Sequence, residues 1–273
     1  MITETYQVGE FLVETYDNPS VNLTLSDQER LVREFTPAAK NSFNQPDFDE
    51  GVLRRHYLTT STTIVVRGSS GNVAGFAGSS ILEIDDDKVI YLQGGVISES
   101  CRDRGLYRIL IGSRILANVK KIRMDDRDHR KVLIAGRTQN PLVYKFMHRK
   151  LGVFPHPDGY IHHDLINKAK KITQKIYEKF SDFHSSEGCV FDTSSFVLKR
   201  AFGSESGGEE SGYSLYGNNI PFCKDDDAIN QYMKNHIDWH NGDTLIMLGY
   251  YNKQDVLALF RGYELELNPA IAA

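Results

Sequence analysis

The sequence predicts a mixed α/β fold: a central, mostly antiparallel sheet flanked by helices, followed by a C-terminal α/β extension. Three observations carry this. Short β-branched runs separated by Gly- and Asp-rich turns fill residues 62–98. The apolar spacing switches to a helical period from Gly105 to about Ile122, where Leu106, Ile109, Leu110, Ser113, Leu116 and Ala117 recur at i, i+3, i+4, i+7. A further strand over Lys131–Thr138 and helix over Pro141–Leu151 then follow in alternation.

In chain order, a first strand is expected around Gly9–Thr15. A helix starts at Ser26, with Glu29 three residues on as in a capping box, and stops near Pro37. A short helix is expected over Phe48–Tyr57. Strands follow at Thr62–Arg67, Val73–Ile84 and Val89–Ser98, joined by Gly68–Asn72 and by Asp85–Lys88. Gly152 ends the helix at 141–151 as a C-cap glycine. Beyond it, Leu165–Phe183 reads as a helix, Cys189–Phe202 as a strand, Gly203–Gly212 as a loop, Asp225–Trp239 as a helix and Thr244–Asn252 as a strand. The division this suggests is a core over 1–155 and an extension over 156–273 that either completes the sheet or forms a lid.

Composition narrows the function. The chain has 273 residues, 40% hydrophobic and 25% charged, with a formal net charge of −4 and a pI near 6.1. That balance argues against a dedicated nucleic-acid binder, which carries a basic face, while net charge leaves a local basic groove open. No apolar run nears the ~20 residues of a membrane span, and the N-terminus has no signal-peptide pattern. Three dispersed cysteines, Cys101, Cys189 and Cys223, suit reduced thiols. The expectation is a cytoplasmic protein with neither nucleic-acid nor membrane partner; a homodimer is left open. No metal is expected. Asp85–Asp87 reads as a solvated turn, and neither His236/His240/Asp243 nor His162–His163 completes a ligand set.

The segment that carries chemistry is Gly94–Tyr107. A strand ends, a polar turn with Arg102, Asp103, Arg104 and Gly105 follows, and a long amphipathic helix begins at Leu106 and Tyr107. The first amides of a helix have no internal partner and sit at the positive end of its dipole. They can receive a pyrophosphate, with Gly105 allowing close approach and the arginines adding charge-assisted contacts. Neither GxxxxGK[ST], GxGxxG after the first strand, nor GxSxG is present.

Arg102–Tyr107 resembles the [Q/R]-x-x-G-x-[G/A] motif of the GNAT acyltransferase superfamily, with Tyr107 where the family has a small residue. Arg137-Thr138-Gln139-Asn140-Pro141, then Tyr144, then Lys150-Leu151-Gly152-Val153 resembles the family's fifth strand, the Asn opening the next helix, and the closing Leu-Gly-aromatic signature. The resemblance covers roughly residues 20–155. It implies a GNAT-like splayed sheet and an N-acyltransferase, most simply an N-acetyltransferase, using acetyl-CoA or a related acyl-CoA as co-substrate. The acceptor would be a small-molecule or protein amine.

It further implies that the backbone of Val96, Ile97 and Ser98 holds the pantetheine arm, with the Ile97 amide facing the acyl oxygen. Tyr144 or His148, one turn apart, is the implied acid, and Glu99 the candidate base. Cys101 as a covalent acyl carrier is a further option. Asp47, Asp49 and Glu50 are candidates to attract a cationic amine. Other acyl-thioester reactions on the same fold, such as O-acylation or decarboxylation, and a non-catalytic coenzyme A-binding module stay open beside the leading reading.

Overall fold

The computed structural model describes residues 2–43, 49–122, 131–157, 163–179, 190–201, 220–252 and 254–258. The expected loop at 203–212, Asp47, Cys189 and His162 lie outside them. The chain forms two compact units, residues 1–134 with 251–273, and residues 135–250. The fold is mixed α/β.

The first unit opens with a hairpin rather than a single strand. β1 (Ile2–Val8) and β2 (Phe11–Asp17) are antiparallel, with Val8 opposite Phe11. Gly9, expected at a strand start, instead takes φ +56° in the two-residue turn, a left-handed conformation that glycine adopts without a Cβ penalty. After a single helical turn, α1 (Pro19–Asn22), comes α2 (Leu25–Phe43). Its cap is Thr24, two residues before the expected Ser26: Thr24 Oγ1 accepts from the Asp27 amide at 3.2 Å and donates to Asp27 Oδ2 at 2.7 Å. The helix does not stop at Pro37. Proline removes one backbone donor and crowds the preceding turn, but Phe35, Ala38 and Ala39 are all buried on its inner face, and that packing carries the helix through.

α3 (Glu50–Leu53), capped by the Asp49 side chain on the Gly51 amide, runs into a π turn over Arg54–Leu58. β3 (Thr62–Arg67), β4 (Val73–Ile84) and β5 (Asp87–Ile97) complete an antiparallel meander in the order β1-β2-β3-β4-β5. α4 (Leu106–Lys121) follows.

Alternation along the strands sorts side chains onto two faces. Val65, Phe76 and Val96 point to the α2 side, where they join Leu31, Phe35, Leu53, Tyr57 and Leu58. Ile64, Val66, Ala74 and Ala77 point to the α4 side with Leu106, Ile109 and Leu110. β3 is therefore covered on both faces, which explains its unbroken apolar run. Phe35 stacks on Phe76 with ring centroids 4.1 Å apart, and Tyr57 meets Phe76 edge-on at 4.7 Å.

β6 (Lys131–Thr138) leads the chain into the second unit. There α5 (Pro141–Leu151), α6 (His163–Lys179), β7 (Val190–Asp192), β8 (Val197–Lys199), α7 (Asp227–His236) and β9 (Thr244–Asn252) follow. The strand order is β6-β9-β8-β7. The strand expected over 189–202 is thus two short strands that pair with each other through the turn at Thr193–Phe196. Asp243 holds the turn before β9, accepting from Lys199 Nζ at 2.9 Å and the Arg200 amide at 3.0 Å. That is its role here, apart from any histidine pair.

Candidate functional site

The candidate site of the first unit begins in the middle of β5. Ala77 of β4 faces Gly95, but two residues on, Ser79 faces Leu92, so Gln93 and Gly94 together oppose Gly78. This is a β-bulge, which breaks the ladder locally and re-aims the strand. Gly94 and Gly95 are both exposed in a strand otherwise buried at its centre. The pair of glycines inside a strand pattern is the sequence signal of such a feature, and it can be read from the sequence.

Arg114 of α4 closes the gap. It is 3% exposed and donates through Nη1 to the carbonyls of Gly78 at 2.9 Å and Gln93 at 2.7 Å, and through Nε to Leu110 at 3.0 Å. Burial pulls its guanidinium down to about 10, against small opposing contributions from Tyr107 and Tyr57. It keeps its charge at neutral pH. Sequence reading missed it, although its place four residues after Leu110 puts it on the inward face.

Toward the end of β5, Ser98 is zipped to β4: its amide donates to Ala74 at 2.9 Å and its hydroxyl to Val73 at 2.8 Å. Val96 is buried among the α2-side residues. With Ser98 and Val96 bonding toward β4, the antiparallel alternation turns the main-chain groups of Gly95 and Ile97 to the opposite edge. The Ile97 carbonyl there accepts from Ser42 at 2.8 Å. Of the expected backbone contacts, Ile97 therefore turns its amide away from β4, whereas Val96 and Ser98 turn theirs toward it.

A single 3₁₀ turn over Glu99–Cys101 then leads to Arg102. Asp103 and Gly105 both take left-handed φ, +62° and +77°, which reverses the chain before α4. Gly105 is the N-cap residue, no side chain caps the helix, and a Cβ built on it would meet nothing within 4 Å. The helix end is thus open, with its first amides unclaimed by the helix itself. Leu106 is buried and Tyr107 half-buried. The two arginines differ. Arg104 pairs with Glu10 of the β1–β2 hairpin and lies 5.0 Å from the Phe11 ring centroid; the hydrogen bond to Glu10 holds its guanidinium above the ordinary value. Arg102 is exposed, 3.9 Å from Glu99, and Glu99 itself is exposed.

The second unit carries the other expected residues. Asn140 caps α5, its side chain accepting from the Leu142 amide at 2.9 Å, with Pro141 at the first helical position. Gly152 is the left-handed C-cap. Tyr144 and His148 face the same side of α5, ring centroids 5.8 Å apart. Tyr144 is fully buried, and its hydroxyl donates to the Pro155 carbonyl at 2.6 Å. His148 is half-buried, 4.8 Å from the His156 ring and with Nδ1 3.4 Å from the Val153 carbonyl.

No family model matches the chain, and no curated protein matches it. Among solved structures it is similar to a GNAT-superfamily phosphinothricin acetyltransferase from Sinorhizobium meliloti in complex with acetyl-CoA, at 10% identity over 88% of this chain and 89% of that one, with a TM-score of 0.42. It is also similar to the aminoglycoside acetyltransferase AAC(6')-Iy in complex with a bisubstrate analogue, at 17% identity over 56% and 96% of the two chains, TM-score 0.37. A third is a GCN5-related N-acetyltransferase from Sphaerobacter thermophilus, at 14% identity over 55% of this chain, TM-score 0.37; this chain spans 45% of that one's length.

Of the remaining candidates, Asp49 caps α3 and lies 3.5 Å from Arg55, while Glu50 accepts from Thr36 at 3.2 Å. Cys101 is a half-buried free thiol and Cys223 a buried one. Among the described residues no cluster of His, Cys, Asp and Glu could hold a metal ion, and no helix is long and apolar enough to cross a membrane.

Proposed function

We propose that the protein binds an acyl-coenzyme A and transfers the acyl group to an amine. The observation that carries this is the run from the β5 bulge to Gly105: outward main-chain groups at Gly95 and Ile97, a reversed turn with two left-handed residues, and a helix start that no side chain caps. The space beside Gly105, where a Cβ would meet no atom within 4 Å, fits a pyrophosphate at the helix amides. Arg102, exposed and only loosely paired, is the charge that reaches it; Arg104 must first leave Glu10.

The thioester supplies an acyl carbon open to attack by a neutral amine. The chain's part is to hold the acyl oxygen against a main-chain amide that β5 turns away from β4, that of Gly95 beside the bulge or that of Ile97 further on, where donors of this kind contribute about 3 kcal/mol to the transition state. Glu99, exposed beside this edge, is the proposed acceptor of the amine proton. The resemblance assigns the opposite transfer to Tyr144 or His148. Since Tyr144 is buried and directs its proton to Pro155, the half-buried His148 is the more accessible of the two. The acceptor, as the resemblance implies, is a small-molecule or protein amine.

Calorimetric titration with acetyl-CoA tests it. Micromolar binding by the natural protein, lost in Arg102→Glu and Gly105→Asp while both stay folded, supports the reading. Equal binding by all three, or none by the natural protein, overturns it. Binding without turnover on a broad amine panel would leave a coenzyme A-binding module.

A further inference from the structure

Tyr57 is a buried tyrosine whose hydroxyl has no hydrogen-bond partner among the described residues. The residue is 4% exposed, its ring held edge-on to Phe76 at 4.7 Å and to Phe35 at 6.3 Å. Its backbone is pinned as firmly: Thr60 Oγ1 donates to the Tyr57 carbonyl at 3.0 Å, as does Thr63. The π turn that carries it is tied to the bulge through Gln93, whose Nε2 donates to the His56 carbonyl at 3.4 Å while Ser80 holds its Oε1 at 2.9 Å. π turns of this kind recur at functional sites.

Among the described residues the Tyr57 hydroxyl makes no hydrogen bond. It is aimed at Gly94, where a Cβ would stand 2.8 Å from the oxygen, and Gly94 is exposed. A phenol whose ring is fully packed gains nothing over phenylalanine unless its hydroxyl finds a partner. The opening over Gly94 is where a partner can come from. The ring cannot turn away, so the donor is preset in direction, as a site that stabilises developing charge requires.

We propose that Tyr57 is a further catalytic residue of the β5 site, its hydroxyl donating a hydrogen bond to the acyl oxygen of a thioester laid over Gly94–Gly95. This rests on the acyltransferase reading above. As the amine nitrogen bonds to the acyl carbon and the carbon–sulfur bond breaks, the amine proton goes to a base and the sulfur takes a proton from another group; Tyr57 keeps its own throughout. Burial pushes the phenol well above its ordinary range, so it stays a neutral donor across the working pH. Tyr144, whose hydroxyl is already bonded to Pro155, does not compete for this role.

The test is Tyr57→Phe, which keeps the packing and removes only an unbonded hydroxyl. We expect kcat to fall about 100-fold, with coenzyme A affinity and thermal midpoint unchanged. The kcat–pH profile should keep its shape, as loss of a proton-transferring acid would not allow. In parallel, 3-fluorotyrosine at position 57 should shift its fluorine resonance on adding acetyl-CoA and much less with coenzyme A alone. A variant that binds coenzyme A and retains kcat within about threefold, well short of the loss of a charge-stabilising donor, overturns the role of Tyr57 and leaves the acyltransferase reading standing. Absence of coenzyme A binding in the natural protein overturns both.

Discussion

The Arg114 guanidinium lies 2.7 Å from the Gln93 carbonyl and 2.9 Å from that of Gly78, so one buried cation stands in for the ladder bonds that the bulge removes. Three carbonyls, with Leu110 the third, solvate it, and no carboxylate among the described residues does. Arg114→Met should leave the bulge carbonyls unpaired and cost about 3 kcal/mol in urea unfolding. Arg114→Lys should recover only part, because an ammonium cannot span the fork. A loss under about 1 kcal/mol for the Met variant, the size of one ordinary hydrogen bond, would mean that the bulge holds without it.

Gly94 and Tyr57 should be coupled. A Cβ at 94 would press on the Tyr57 hydroxyl oxygen at 2.8 Å and on its ring carbon at 3.7 Å. Gly94→Ala alone is expected to destabilise, and adding Tyr57→Phe should return about 1 kcal/mol by removing the closer contact. Additive effects in the double-variant cycle would show that the alanine displaces the strand instead.

Two carboxylates share Arg67, and they should not matter equally. Glu14 Oε2 is 3.0 Å from Arg67 Nε and Glu34 Oε2 is 2.8 Å from Nη2, but Glu14 is the more buried and also accepts from Tyr16 at 2.9 Å. Glu14→Gln should cost about 2 kcal/mol, as for a buried group losing its charge-assisted bonds. Glu34→Gln should cost less than about 1 kcal/mol, as for a half-open ion pair. Equal midpoints for the two variants would refute the ranking.

The same cluster sets an alkaline limit. Burial, then the Glu14 charge and hydrogen bond, push the Tyr16 hydroxyl from 10.0 up to about 12. A pKa raised in the folded state gives stability that is complete below 10.0 and lost as pH climbs toward about 12. Unfolding midpoints should fall across that window, and Tyr16→Phe should flatten the fall. A midpoint already falling at neutral pH would point to another group.

What the sequence disclosed follows physical period. β3, β4, β6, α5 and β9 lie where β-branched runs, turn glycines and caps placed them, because each has its own local signal. Propensity alone ends α2 at Pro37, because it sees the missing donor and not the buried face that outweighs it. The hairpin at Gly9 reads as part of a strand because its turn has two residues and one glycine. In the site, the Gly105 turn was legible as a motif, but Arg104's pairing with Glu10 spans 94 residues of sequence and leaves no local trace. Tyr57 and Arg114 were hidden for the same reason. Both come from helices on opposite faces of the sheet and meet the bulge only after the meander is assembled.

A bulge is ordinarily where a hairpin begins to breathe, so β4 and β5 should open in two stages, the exposed glycines first. With Arg114 bolted across it from α4, the hairpin cannot part there without stripping the Gly78 and Gln93 carbonyls of their shared donor or dragging the helix along. Amides on either side of Gln93–Gly94 should then trade their hydrogens with solvent at one common rate, and the most open stretch of the backbone becomes part of the last structure to let go.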